Sequence, residues 1–93
     1  MSDPIQQPTE RMFPIMDGDQ RSWIPWRVIA PHEAQARRNH DQSLKRLAER
    51  GGLCWSEAWG VLTGVGWSRL PRNQEAKCKA AVLAICERET ANG

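Results

Sequence analysis

Apolar positions along this 93-residue chain fall into five stretches separated by glycine, proline and charged runs. The first is sparse. Phe13, Ile15 and Met16 stand in a polar segment that carries Pro4, Pro8 and Pro14 and ends at Asp17-Gly18-Asp19. No helical or strand period persists there, so the pattern predicts a flexible N-terminal arm, residues 1–22, ending in a turn. Its apolar side chains would dock on the domain or insert into a partner. The second stretch, residues 23–30, reads Trp-Ile-Pro-Trp-Arg-Val-Ile-Ala. Pro25 breaks any helix and biases Ile24 toward extended backbone. An extended lid across a helical body is expected, because a strand here has nothing obvious to pair with.

The remaining pattern predicts three helices. The first runs over residues 31–50: Pro31 suits the first helical position, Glu33 the positive end of the dipole, and Gly51-Gly52 a left-handed stop. Ala30, Ala34, Arg37, Asp41, Leu44 and Ala48 form its stripe, with Leu47 beside it. The second covers residues 55–63, with Cys54 at the N-cap, Glu57 as half of a capping box, and Gly64-Val65-Gly66 as its end. Gly60 is expected to admit a second backbone. The third covers residues 71–90, with Ala76, Ala80, Leu83 and Glu87 on one stripe and Val82, Ile85, Cys86 and Glu89 on the next. The expected fold is all-α: a small three-helix domain, residues 23–93, carrying an extended N-terminal arm.

Ninety-three residues hold one domain. The net charge of +2 is unevenly distributed. Residues 1–20 hold four acids and one base, and residues 21–50 hold seven bases and three acids. The basic middle could attract nucleic acid or an acidic protein face, although it lacks the density of a DNA-coating protein. No apolar run approaches the ~18 residues of a membrane span, and the first residues lack a signal-peptide pattern. A cytoplasmic location without membrane association is expected. Three cysteines, Cys54, Cys78 and Cys86, are an odd number without that signal and argue against a disulfide framework.

Candidate chemistry is thin. His32 and His40 lie eight apart, not the four that brings two imidazoles to one metal, and no Cys-x-x-Cys occurs. Nothing in the spacing of Ser43, Cys54, His40 and Asp41 selects a triad, and no Gly-rich phosphate loop is present. The expectation is therefore a protein that is not an enzyme, with no catalytic residues, metal or cofactor. Tryptophan is the anomaly: Trp23, Trp26, Trp55, Trp59 and Trp67 are five of the six aromatics. A domain this small can hardly bury all of them, and Trp with Arg makes interface hot spots. Trp23, Trp26, Arg27, Trp59 and Trp67 are accordingly partner-binding candidates. On the first helix, Arg38, Lys45 and Arg46 form the alternative, a phosphate-contacting face.

The chain also carries Ile24-Pro25-Trp26, then Pro31-His32-Glu33-Ala34-Gln35-Ala36, Asn39-His40, Gln42 and Leu44, then Leu47, Arg50, Gly51, Gly52 and Leu53. In this string it resembles small accessory proteins of proteobacterial phages and prophages. The match covers about 40 residues, is specific as a string and carries no chemistry of its own. The longer N-terminal arm and Cys54 depart from it. The resemblance implies a non-enzymatic protein that binds and modulates a host protein or complex, anti-defence action included, in the cytoplasm of the bacterial host. It adds His32, Gln35, Arg38, Asn39 and His40 to the partner-binding candidates. The alternative is a small nucleic-acid-binding accessory. A homodimer is compatible with either, since exposed indoles can be buried by pairing.

Overall fold

The computed structural model describes residues 11–92. It is a mixed α/β fold: a three-stranded sheet packed against helices, in place of the expected all-α bundle. Strand β1 (Met12–Asp17) and strand β2 (Gln20–Pro25) pair antiparallel, and the two-residue strand β3 (Leu53–Cys54) adds parallel to β1, giving the order β2-β1-β3. Residues 11–22, expected as part of an arm, thus form most of a hairpin. The first ten residues of the expected arm lie outside the described residues. The correction has a local cause. Gly18 sits at φ 62° in the first central position of a two-residue loop between paired Asp17 and Gln20, where a right-handed twist favours glycine. Phe13 and Ile15 then alternate with Met12, Pro14 and Met16 at the strand period.

Pro25 ends β2 and leads directly into helix α1 (Trp26–Ile29), so the expected lid is half strand and half helix. A 3-10 turn, Ala30–His32, connects to α2 (Glu33–His40). The single helix expected over residues 31–50 is broken. Asp41 adopts left-handed backbone, φ 53°, and α3 (Leu44–Glu49) restarts with Ser43 as its N-cap, accepting from the Arg46 N–H at 3.2 Å. The Glu33 carboxylate closes the break, accepting the Leu44 N–H at 3.0 Å from eleven residues upstream while pairing with Arg37 at 3.0 Å. A carboxylate on the orphan donors of a helix start is favoured by hydrogen bonding and by the dipole.

Helix α4 (Trp55–Thr63) begins where the sequence places it. Cys54 occupies the N-cap, and Glu57 reaches back to the Cys54 N–H at 3.0 Å. A further carboxylate, Glu75, accepts the Ser56 N–H at 3.2 Å. Gly64, at φ 81°, stops the helix. A loop with a second 3-10 turn, Trp67–Arg69, leads to α5 (Glu75–Asn92), which starts four residues later than expected. A side chain added at Gly60 would overlap the Leu70 side chain of that loop and would stand 3.5 Å from the Val65 carbonyl oxygen, so the glycine admits both.

The core lies between the inner sheet face and the helices. Phe13, Ile15 and Ile24 meet Ile29, Leu44, Leu47, Trp55, Ala58 and Val61, with Cys78, Val82 and Cys86 from α5. Each fully buried large apolar side chain contributes roughly 1.5–3 kcal/mol. Of the two stripes on α5, the one with Ala76, Ala80, Leu83 and Glu87 is exposed, and the adjoining one turns Val82 and Cys86 into the core. On α2, Ala36 is buried and Ala34 is not. No helix among the described residues is long and apolar enough to cross a membrane.

Candidate functional site

The register of the hairpin decides which side chains share its outer face. Met12 pairs with Pro25, Pro14 with Trp23, and Met16 with Arg21, and directly opposed residues point to the same side. Opposite them, Phe13, Ile15 and Ile24 fill the core. Of the outer set, Trp23 is 52% exposed, Met12 41% and Met16 40%. Large apolar groups left at this level on one small face are unusual, since chains of this size usually scatter them.

Helix α3 walls one side of that face. Lys45, Ala48 and Glu49 line a groove of about 330 Å³ with Met12, Pro14, Arg21 and Trp23, and Arg11 stands at its end. Arg21 lies across the face: a side chain added at Gly51 would come within 3.4 Å of its guanidinium and 3.5 Å of the Met16 sulfur. The groove therefore combines Trp23, Met12, a proline floor and the cations of Arg11, Arg21 and Lys45, opposed by the single carboxylate of Glu49.

The far end of the hairpin is tied down. Lys79 of α5 donates to the Asp17 carboxylate at 3.1 Å, and Ser22 donates to the same oxygen at 3.2 Å. The Lys79 ammonium also sits 5.7 Å from the centre of the Trp55 ring. Lys79 holds the Asp17 carboxyl below its ordinary value. Loss of hydration opposes this, while Ser22 and the nearby Trp55 indole, whose N–H completes no hydrogen bond, reinforce it. A carboxyl with a depressed folded-state pKa favours folding above its ordinary titration range, and that contribution disappears as pH falls through the folded value. Asp17→Asn should therefore unfold at lower urea than the parent at pH 7, and the two midpoints should converge below about pH 4. A gap that persists in acid would assign the loss to packing and not to the charge.

The other candidates divide into separate places. Gln35 donates to Asn39 at 3.1 Å and accepts from Arg38, a chain of bonds along the exposed side of α2. His32, Gln35 and Arg38 line a groove of about 310 Å³ with Leu62 and Gly64 from the end of α4. His40 turns the other way, its ring edge on Trp67 with centroids 4.8 Å apart, while the Arg72 guanidinium covers Trp67 at 4.1 Å. Burial lowers the His40 pKa, helped by Arg72 and opposed by Glu57. Its Nε2 and the Gln42 carbonyl oxygen are buried with no hydrogen-bond partner. Trp67 thus clamps the loop before α5, although it stays 42% exposed. Trp26 is half-buried, stacked on Phe13 at 5.8 Å with Arg11 over its ring at 4.6 Å. Trp59 packs against the core, Arg27 is exposed on α1, and Trp55 is buried.

Among the sequence candidates only Trp23 stands on the apolar outer face. Met12, Pro14 and Met16 join it, with Arg21 and Lys45 beside them. The signal for them was the period-2 alternation ahead of Asp17-Gly18, which two prolines obscured. Arg38, Lys45 and Arg46 do not form one patch: Arg38 lines the groove with Leu62, Lys45 the groove with Trp23, and Arg46 a third groove with Arg37, Asp41 and Ser43. Burial pushes the thiols of Cys54, Cys78 and Cys86 up, so all three are neutral at pH 7. Among the described residues no three His, Cys, Asp or Glu side chains converge as metal ligands would. No family model matches this chain, and neither does a curated protein or a solved structure.

Proposed function

We propose that the chain is a non-enzymatic protein-binding module whose docking face is the outer side of the β1–β2 hairpin with its α3 wall. The observation that carries this reading is the exposure of Met12, Met16 and Trp23 on one strand face, flanked by Arg21 and Lys45. Trp, Met and Arg are the residue types enriched at the centres of protein interfaces, where lysine and acids are depleted. Trp23 would be the anchor, because a rigid indole desolvates a large area at little entropic cost. The resemblance of residues 24–53 to phage and prophage accessory proteins supports a host protein as the partner, held stoichiometrically and modulated by being covered.

The nucleic-acid alternative has less support. Its three cations line three different grooves, so neighbouring phosphates of one strand would not meet them together.

Affinity purification of the tagged chain from the native host is the test, run beside Trp23→Ala and an Arg38→Ala control. The expected result is a host protein in stoichiometric yield, reduced at least about tenfold by Trp23→Ala, a hot-spot loss of about 1.4 kcal/mol or more, and unchanged by Arg38→Ala. Recovery that is indifferent to Trp23, or no stoichiometric protein at all, would defeat the proposal. Steeply salt-dependent retention on nucleic acid would favour the alternative.

A further inference from the structure

The outer edge of β2 is self-complementary. The Trp26 N–H bonds to the Arg11 carbonyl at 2.8 Å, which sets the alternation of the hairpin ladder. Antiparallel pairs alternate between hydrogen-bonded and non-hydrogen-bonded, so Phe13–Ile24 and Ile15–Ser22 are bonded while Met12–Pro25, Pro14–Trp23 and Met16–Arg21 are not. Both prolines, which have no N–H to give, fall in the second kind of pair. The N–H and C=O groups of Arg21 and Trp23 consequently point away from β1. Among the described residues no backbone group is bonded to them, and β2 ends the sheet.

An unpaired strand edge is a template for another strand. We propose that β2 pairs antiparallel with β2 of a second copy of this chain, about a two-fold axis through Ser22, so that Arg21 of each copy faces Trp23 of the other. Three symmetric registers use the outward groups of β2. Centring on Arg21 sets two guanidiniums directly opposite, which is repulsive. Centring on Trp23 sets Arg21 against Pro25, whose missing N–H forfeits a ladder bond. Centring on Ser22 avoids both defects and yields four backbone hydrogen bonds, two in each Arg21–Trp23 pair. It also sets each Arg21 opposite an indole, where the guanidinium, which lies beside Met16 in the single copy, can swing into a cation–π arrangement. The two three-stranded sheets then form one continuous six-stranded sheet, with both copies of Trp23 on the same side. The contact is short, so the dimer is expected to be weak, with a Kd of order 10 µM.

The β2 edge is distinct from the docking face, and the variants separate the two. Sedimentation equilibrium of the full chain at about 0.1 mM, well above that Kd, should give the mass of two chains against 10.6 kDa for one. Trp23→Glu should remain dimeric, because the introduced carboxylate then faces Arg21 of the second copy as an ion pair, although the change removes the anchor of the docking face. The double variant Arg21→Glu with Trp23→Glu sets carboxylates opposite each other and should be monomeric, its circular dichroism unchanged. A monomeric parent at about 0.1 mM would overturn the proposal. So would a Trp23→Glu variant that dissociates while folded, since that is the behaviour of a contact made by the indole face, or a double variant that stays dimeric.

Discussion

Gly52→Ala should destabilise the chain by at least about 3 kcal/mol, seen as a large drop in its urea midpoint. Two penalties add. Gly52 lies at φ 105°, where a side chain costs about 1–2 kcal/mol, and a methyl group built there overlaps the Pro14 carbonyl oxygen outright and stands 3.2 Å from the Ile15 nitrogen. The obstructing atoms are backbone, held by the parallel pairing of Ile15 with Leu53, so they cannot swing aside. Relieving the overlap means separating β3 from β1, at a cost comparable to the roughly 1–3 kcal/mol of an overpacked core or greater. Total stability for a chain of this length is roughly 5–14 kcal/mol, so the loss is a large part of it. Gly64→Ala is the internal control: its φ is 81° but nothing stands within 4 Å of the added methyl, so only the backbone penalty of about 1 kcal/mol applies. Urea midpoints of both variants check the prediction. Equal shifts for the two would mean that β3 does not approach β1 as closely as described.

That contrast explains why the Gly51-Gly52 pair was only half legible. A double glycine after good helix formers signals a helix stop, and the chain does leave the helix there. Nothing in the sequence says that the second glycine is also the site where another strand's backbone passes. Helix α4 was readable for the opposite reason: its determinants, Cys54, Glu57 and Gly64, all lie within or beside the element. The break between α2 and α3 was not readable. Residues 39–43, Asn-His-Asp-Gln-Ser, hold side chains that compete for backbone hydrogen bonds, but their good-forming neighbours outweigh them locally. The deciding contact is Glu33 with the Leu44 N–H, which exists only after the chain has turned. The same holds at α5, where two adjoining stripes were visible and the packing of α4 selected the one with Cys78, Val82 and Cys86. At the candidate site, Trp23 was conspicuous by type. Its companions were hidden because Pro14 and Pro25 suppress a strand reading, and only the register shows that both occupy pairs that need no N–H.

The alternation of the hairpin can be tested on neighbouring residues. Phe13→Ala should cost about 3–5 kcal/mol, the range for removing a buried phenyl ring. The ring is fully buried, stacked on Trp26 and enclosed by the core, and its loss would leave a cavity that the rigid strand cannot collapse around. Trp26 would lose its stacking surface as well, and with it the platform beneath Arg11. Three residues along the same strand, Met16→Ala should cost less than about 1 kcal/mol, because its side chain is 40% exposed and its removal opens no enclosed void. A flexible arm would give small and similar values at both positions. A strand gives a large value at Phe13 and a small one at Met16, since a one-residue slip in register would exchange inner and outer faces. Comparable losses at the two sites in chemical denaturation would displace β1 from the core, and the docking face and the β2 edge would fall with it, because both take their orientation from the side of β1 on which Phe13 is buried.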